Sequence, residues 1–145
     1  MYKLRKFHLV VVSLILFETS LYAQASSKFH CPVNGTVRRN LDGAEGSGND
    51  IKALRFYSND GNIFSCSDGV VTAVDTSRNR FAIFIKWRKY EISYHDLDSS
   101  NVQIGDKIKT GDLIGRINYP ELMIIVSKKE KILSAKEIYS LISCN

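Results

Sequence analysis

The stretch "VQIGDKIKTGDLIGRI", residues 102–117, decides the fold. Glycines at 105, 111 and 115 cut it into apolar pieces too short for a helical turn pattern, a spacing that suits short strands joined by tight corners. Upstream, "RFAIFIKW" (80–87) alternates Phe81, Ile83, Ile85 and Trp87 on one face. Arg88-Lys89 then makes a tight reversal into "YEISY" (90–94). Further back, "NIFSC" (62–66) precedes the turn signal Ser67-Asp68-Gly69, and "VVTAV" (70–74) follows it. Downstream, "ELMIIV" (121–126) is a continuous apolar run of strand length, which reads as a strand buried on both faces. Only the end reads as helix. Ser134 and Glu137 have the capping-box form, and Ile138, Leu141 and Ile142 make one apolar stripe. The expected fold class is therefore mainly β: a compact antiparallel sheet or sandwich of short strands with one short C-terminal helix. No internal repeat or low-complexity tract is expected.

The N-terminus has a different character. A basic start (Lys3, Arg5, Lys6) leads into an apolar run from Leu9 to Phe17, and small residues follow at Ala23 and Ala25. That is the layout of a secretory signal peptide over residues 1–25, with cleavage after Ala25 or, in close competition, after Ala23. A retained anchor is the weaker reading, because about ten apolar residues fall short of the ~20 that span a bilayer, and Glu18 interrupts them. Residues 26–145 then form a single domain of roughly 120 residues, enough for one core and not for two. The whole chain carries 20 Lys and Arg against 15 Asp and Glu, a net +5. Without residues 1–23 this falls to 17 − 14 = +3. So mild a charge excludes a dedicated nucleic-acid binder, and the clusters "RKY" (88–90) and "SKKEK" (127–131) read as hairpin and loop polarity. A secreted chain could, however, meet an anionic envelope polymer.

Cys31, Cys66 and Cys144 would sit in an oxidising compartment, where at most one intramolecular bridge can form among three. Cys31 and Cys144 flank the domain, and domain ends often lie close together, which favours that pair. Cys66 reads as a small buried residue. Near the start, Pro32 and Asn34-Gly35 punctuate extended chain, and "NLDGAEGSGND" (40–50) reads as an exposed loop.

Three segments taken together, "SDGVVTAVD" (67–75), "YEISYHDL" (90–97) and 102–117, resemble the M23 (LytM, lysostaphin-type, duplicated hybrid motif) peptidase domain over residues 29–143. That family shows Asp-Gly-Val-Val, a strand ending in Tyr-Ala-His-Leu, and Gly-Asp-x-Val-x-x-Gly-x-x-Ile-Gly. The resemblance implies a LytM-like fold and a zinc ion held by two imidazoles and a carboxylate, with a fourth position open for water. Its polar positions lie in His-x-x-x-Asp, in Tyr-x-His-Leu and in a late His-x-His. Carried onto this chain, the first motif keeps Asp50 but puts Gly46 in place of its histidine. The late motif becomes Glu121 and Met123. The middle one becomes Tyr94-His95-Asp96-Leu97, with the histidine one position early and Asp96 in its slot. On an extended strand that offset turns the imidazole away from the groove, unless a local bulge restores it. Without a bulge, His95 joins Glu91 and Ser93 on one face.

The remnant groove positions Asp50, His95, Asp96, Glu121 and Met123 thus lack the zinc-binding and catalytic histidines. The expectation is a secreted or periplasmic, non-catalytic member with no cofactor, binding peptidoglycan or regulating a cell-wall hydrolase. The competing expectation is a zinc-dependent metalloendopeptidase with a rearranged site drawn from Asp50, His95, Asp96 and Glu121. A lipoyl-like carrier shares the short-strand, glycine-corner pattern, but Lys107 in "GDKIKTG" matches a carrier lysine poorly.

Overall fold

A computed structural model of the chain describes residues 29–37 and 52–144. The signal segment, Gly46 and Asp50 lie outside the described residues. Ten of the strands form one curled sheet whose main path runs β7-β9-β3-β10-β6-β5-β4-β8. Its centre is built from β3 (Leu54–Phe64), β10 (Glu121–Lys128), β6 (Tyr90–Leu97) and β5 (Arg80–Trp87), antiparallel throughout. Beyond β5 lie β4 (Gly69–Ser77) and β8 (Lys107–Ile108); beyond β3 lie β9 (Leu113–Arg116) and β7 (Ser99–Ser100). Off the path, β2 (Val33–Val37) pairs with β3 and β11 (Lys131–Ile132) with β10. Separately, β1 (Phe29–His30) and β12 (Ile142–Ser143) form a two-stranded parallel pair. The helix α1, Ala135–Leu141, is capped as expected: Ser134 Oγ accepts from Glu137 N–H, and the Glu137 carboxylate accepts from Ser134 N–H at 2.8 Å. Burial of Ile138 against the core holds it in place.

Alternation puts Leu54 and Phe56 of β3, Leu122, Ile124 and Val126 of β10, Ile92 and Tyr94 of β6, and Ile83 and Ile85 of β5 on one fully buried face. The opposite face is open. For β10 this corrects the expectation of a strand buried on both sides: Met123 and Ile125 are only half-buried, because no layer among the described residues covers them. A run of apolar residues cannot distinguish a covered face from a groove floor.

The opening stretch folds as two equivalent corners. Asp106 N–H donates to Gln103 O, and Asp112 N–H to Lys109 O, while each aspartate carboxylate accepts from the N–H three residues back, at 2.9 and 2.8 Å. Gly105 (φ 93°) and Gly111 (φ 85°) take the left-handed position that these turns require. Gly105 N–H donates to Val71 O, and Gly111 N–H to Ser65 O, each at 2.9 Å. Thus "QIGD" and "KTGD" form a local repeat with a period of six residues, which corrects the expectation of no internal repeat. Gly115 is required for another reason: a Cβ there would lie 2.5 Å from both Leu97 Cδ2 and Ser99 O.

Cys31 and Cys144 form the disulfide, with Cα atoms 4.8 Å apart, tying the β1 and β12 ends together. Cys66 is free and buried, and loss of hydration pushes its thiol up to about 12, so it is no thiolate at neutral pH.

Candidate functional site

In antiparallel pairing, residues directly opposite share a face. Register therefore defines the open face: Met123 faces His95, Ile125 faces Ser93, and Ser127 faces Glu91 across β10 and β6. On β5, Phe84 faces Ser93 and Lys86 faces Glu91. On β3, Tyr57 faces Glu121 and Arg55 faces Met123. These side chains floor a trough, and toward its turn end lies a cavity of 660 Å³ bounded by Phe84, His95, Ile125 and Ile132, which Arg55, Tyr57, Glu121 and Met123 do not line.

The end of the strand that carries His95 has one irregularity. Phe81 pairs with Leu97 and Ile83 with Tyr94, so two residues of β6, His95 and Asp96, stand opposite the single Ala82 of β5. This is a β-bulge, and Asp96 carries its strain at φ 68°. The bulge puts Tyr94 and Leu97, three apart, both into the core at 0% exposure. Alternation with Ser93 and Glu91 puts His95 on the open face opposite Met123, against the expectation that the offset turns it from the groove, and the bulge leaves Asp96, expected in the histidine's slot, exposed.

His95 is held there by two neighbours. Its ring meets Phe84 edge-on at 5.8 Å, and Nε2 lies 2.8 Å from Ser93 Oγ. In the Nε2–H tautomer the ring donates to that oxygen, whose own proton goes to the Ile125 carbonyl at 3.4 Å. Partial burial lowers the imidazole's pKa, opposed only by the nearby Asp96 carboxylate, so the ring is neutral at pH 7. Glu121 is bound in another way: Arg55 donates to its carboxylate at 3.0 Å, a charge pair half-sheltered on the glutamate side. Arg55 was not singled out from the sequence, whereas Ser93 was placed with His95 on one strand face. Ser93 was legible as the residue two before His95 on one strand face; Arg55 had no signal, since its meeting with Glu121 depends on a strand 66 residues away.

Tyr94 serves the fold. Its ring is fully buried and its hydroxyl accepts from Cys66 N–H at 2.8 Å, a backbone group with no water to turn to. The motif's tyrosine and leucine are thus core residues that fix the strand on which the motif's histidine is carried.

As a donor set, this face does not fit zinc. The late-strand positions offer a thioether, which is soft and weak for zinc, and a carboxylate already paired with a guanidinium. The imidazole Nε2 is engaged by Ser93. Among the described residues, no group of three or more His, Cys, Asp or Glu side chains is placed to hold a metal ion.

Known structures sharing this architecture include a zinc containing peptidase from Vibrio cholerae, matched at 25% identity and TM-score 0.51 over 58% of this chain and 29% of that one. A putative peptidase M23 from Pseudomonas aeruginosa matches at 14% identity and TM-score 0.62 over 92% of this chain and 62% of that one. The fold is that of the M23 peptidases. The same LytM-like architecture recurs in the SpoIIQ-SpoIIIAH pore forming complex, at 14% identity and TM-score 0.62 over 79% of this chain and 92% of that one. The chain spans less than a third of the Vibrio peptidase. No family profile and no curated protein matches the sequence. Among the described residues, no helix is long and apolar enough to cross a membrane.

Proposed function

We propose that residues 26–145 act as a secreted or periplasmic, non-catalytic LytM-like domain that binds peptidoglycan or regulates a cell-wall hydrolase through its open trough. One observation carries this reading. The trough persists as a cavity of 660 Å³, while the late-strand positions hold a thioether and an ion-paired carboxylate, Met123 and Glu121. Four central strands give an extended ligand backbone a flat, half-apolar floor. The Cys31–Cys144 disulfide supports an oxidising compartment, in keeping with residues 1–25 as a signal peptide. The likeness to a chain of a pore forming complex supports a binding role for this fold.

A second reading is a zinc-dependent peptidase with a rearranged site, favoured by the position of His95 on the open face beside Met123. Two measurements separate them. Protein purified without chelators is analysed for metal, and is incubated with purified peptidoglycan at low salt. The binding reading expects co-sedimentation, sub-stoichiometric zinc and no released peptide. Stoichiometric zinc with chelator-sensitive cleavage would replace it by the peptidase reading, and failure to sediment would remove the wall-binding form.

A further inference from the structure

The two basic clusters "RKY" and "SKKEK" are forty residues apart in sequence and adjacent in space. Lys129 N–H donates to Lys89 O at 2.9 Å, joining the β5–β6 turn to the β10–β11 turn. Lys89 and Lys128 converge on one ring, with Nζ atoms 5.7 and 5.9 Å from the centroid of Tyr90. Lys86, Arg88, Lys89, Lys128, Lys129 and Lys131 are all exposed here, against Glu91 and Glu130. With Glu137, whose carboxylate lies near Lys131 and Lys128, six cations less three acids is +3, the whole of the net +3 carried without residues 1–23, so the rest of that domain sums to zero. The charge is therefore collected at one end of the sheet, where like charges repel and folding alone gives no reason to gather them. The same end holds the cavity, which Lys86, Arg88, Lys89 and Lys129 line above the apolar side chains of Phe84 and Ile125.

We propose that this cationic turn cluster is a binding site for an acidic polysaccharide, whose successive carboxylate or sulfate groups meet the two turns while a sugar ring enters the cavity against Phe84 and Ile125. The assignment shares its cavity with the wall-binding reading but adds the turn cations and uses neither Glu121 nor Met123, so failure to sediment with peptidoglycan would leave it standing. Three features select this partner. The site is concave, and Ile132 is the one large apolar side chain among these lining residues that is freely exposed, too little for a membrane surface to grip. The aromatic faces nearest the turns are already covered by cations, Arg88 over Trp87 at 4.7 Å and the two lysines over Tyr90, leaving no platform for stacking bases. Sugar rings need only the apolar patch and the charges.

The test is retention of the folded, disulfide-bonded protein on polygalacturonate and on dextran sulfate, with neutral dextran and a thymidine 20-mer as comparison ligands. A triple variant, Arg88→Gln, Lys89→Gln and Lys129→Gln, is set against a charge-matched triple elsewhere, Lys52→Gln, Lys107→Gln and Lys136→Gln. Circular dichroism verifies that both remain folded. With about four cations engaged, a fourfold rise in salt should weaken wild-type binding about 50-fold on the scale of a singly charged polymer strand. The turn triple should lose at least tenfold on one or both acidic glycans, and the charge-matched triple less than threefold. Equal loss in both triples, equal binding to neutral dextran, tighter binding to the oligonucleotide, or no binding to either acidic glycan would each overturn the proposal.

Discussion

Replacing Tyr94 with phenylalanine tests whether the shape of this strand depends on one buried hydroxyl. The Tyr94→Phe change keeps the fully buried ring and removes only the oxygen that accepts from Cys66 N–H, in the bend between β3 and β4, at 2.8 Å. The freed volume is too small and too apolar for water, so the amide is left without a partner. Such an orphaned buried donor costs about 1–3 kcal/mol. A domain of this size loses about 4 °C of Tm per kcal/mol, so thermal unfolding followed by circular dichroism should fall by about 4–12 °C. Hydrogen exchange at the Cys66 amide should accelerate more than at the Val71 amide, which donates to Asp106 O at 3.0 Å and keeps its bond. A variant melting within 1 °C of wild type, with unchanged Cys66 exchange, would refute the reasoning: the hydroxyl would then hold nothing that the fold needs.

Three further outcomes follow from the same structure. The bridge between Cys31 and Cys144 closes a sequence separation of 113, which in the chain-entropy account stabilises by about 4.8 kcal/mol at 25 °C, so the Cys31→Ser, Cys144→Ser pair should lower Tm by up to about 15–20 °C. Gly115→Ala forces a methyl group against Leu97 and the Ser99 carbonyl and should cost about 1–3 kcal/mol by urea denaturation; a neutral result would mean that β7 and β9 separate freely. His95 has a folded pKa below its unfolded value, so the unfolded chain binds more protons between the two, and stability present above pH 6.5 is lost as pH falls through the folded pKa. His95→Gln should flatten that part of the urea-midpoint profile between pH 7.5 and 5, and an unchanged slope would assign it to other groups.

How much of this was legible from residues alone depended on the range of the interaction. The β5–β6 hairpin, the capping box at Ser134 and the glycine corners at 105 and 111 are set by neighbours within a few positions, and the sequence shows them directly. The open face of β10 was misread because Met123 and Ile125 are as apolar as Leu122 and Ile124; what differs is the layer above them, which is a property of the whole sheet. The bulge at His95-Asp96 was foreseeable only as a possibility, since nothing in "SYHDL" marks an extra residue until Leu97 is required to reach the core. The Arg55–Glu121 pair and the joined turn clusters are contacts between distant strands, and no local pattern encodes them.

The bond at Cys31 and Cys144 also makes the domain a covalent ring. A protease that cuts the exposed reversal at Arg78-Asn79 would produce two peptides that still travel as one molecule, held by sulfur at one end and by the β4–β5 ladder across the cut. In an environment rich in hydrolases, such a nick would leave mass unchanged except for one water. Only reduction followed by denaturation would release the halves.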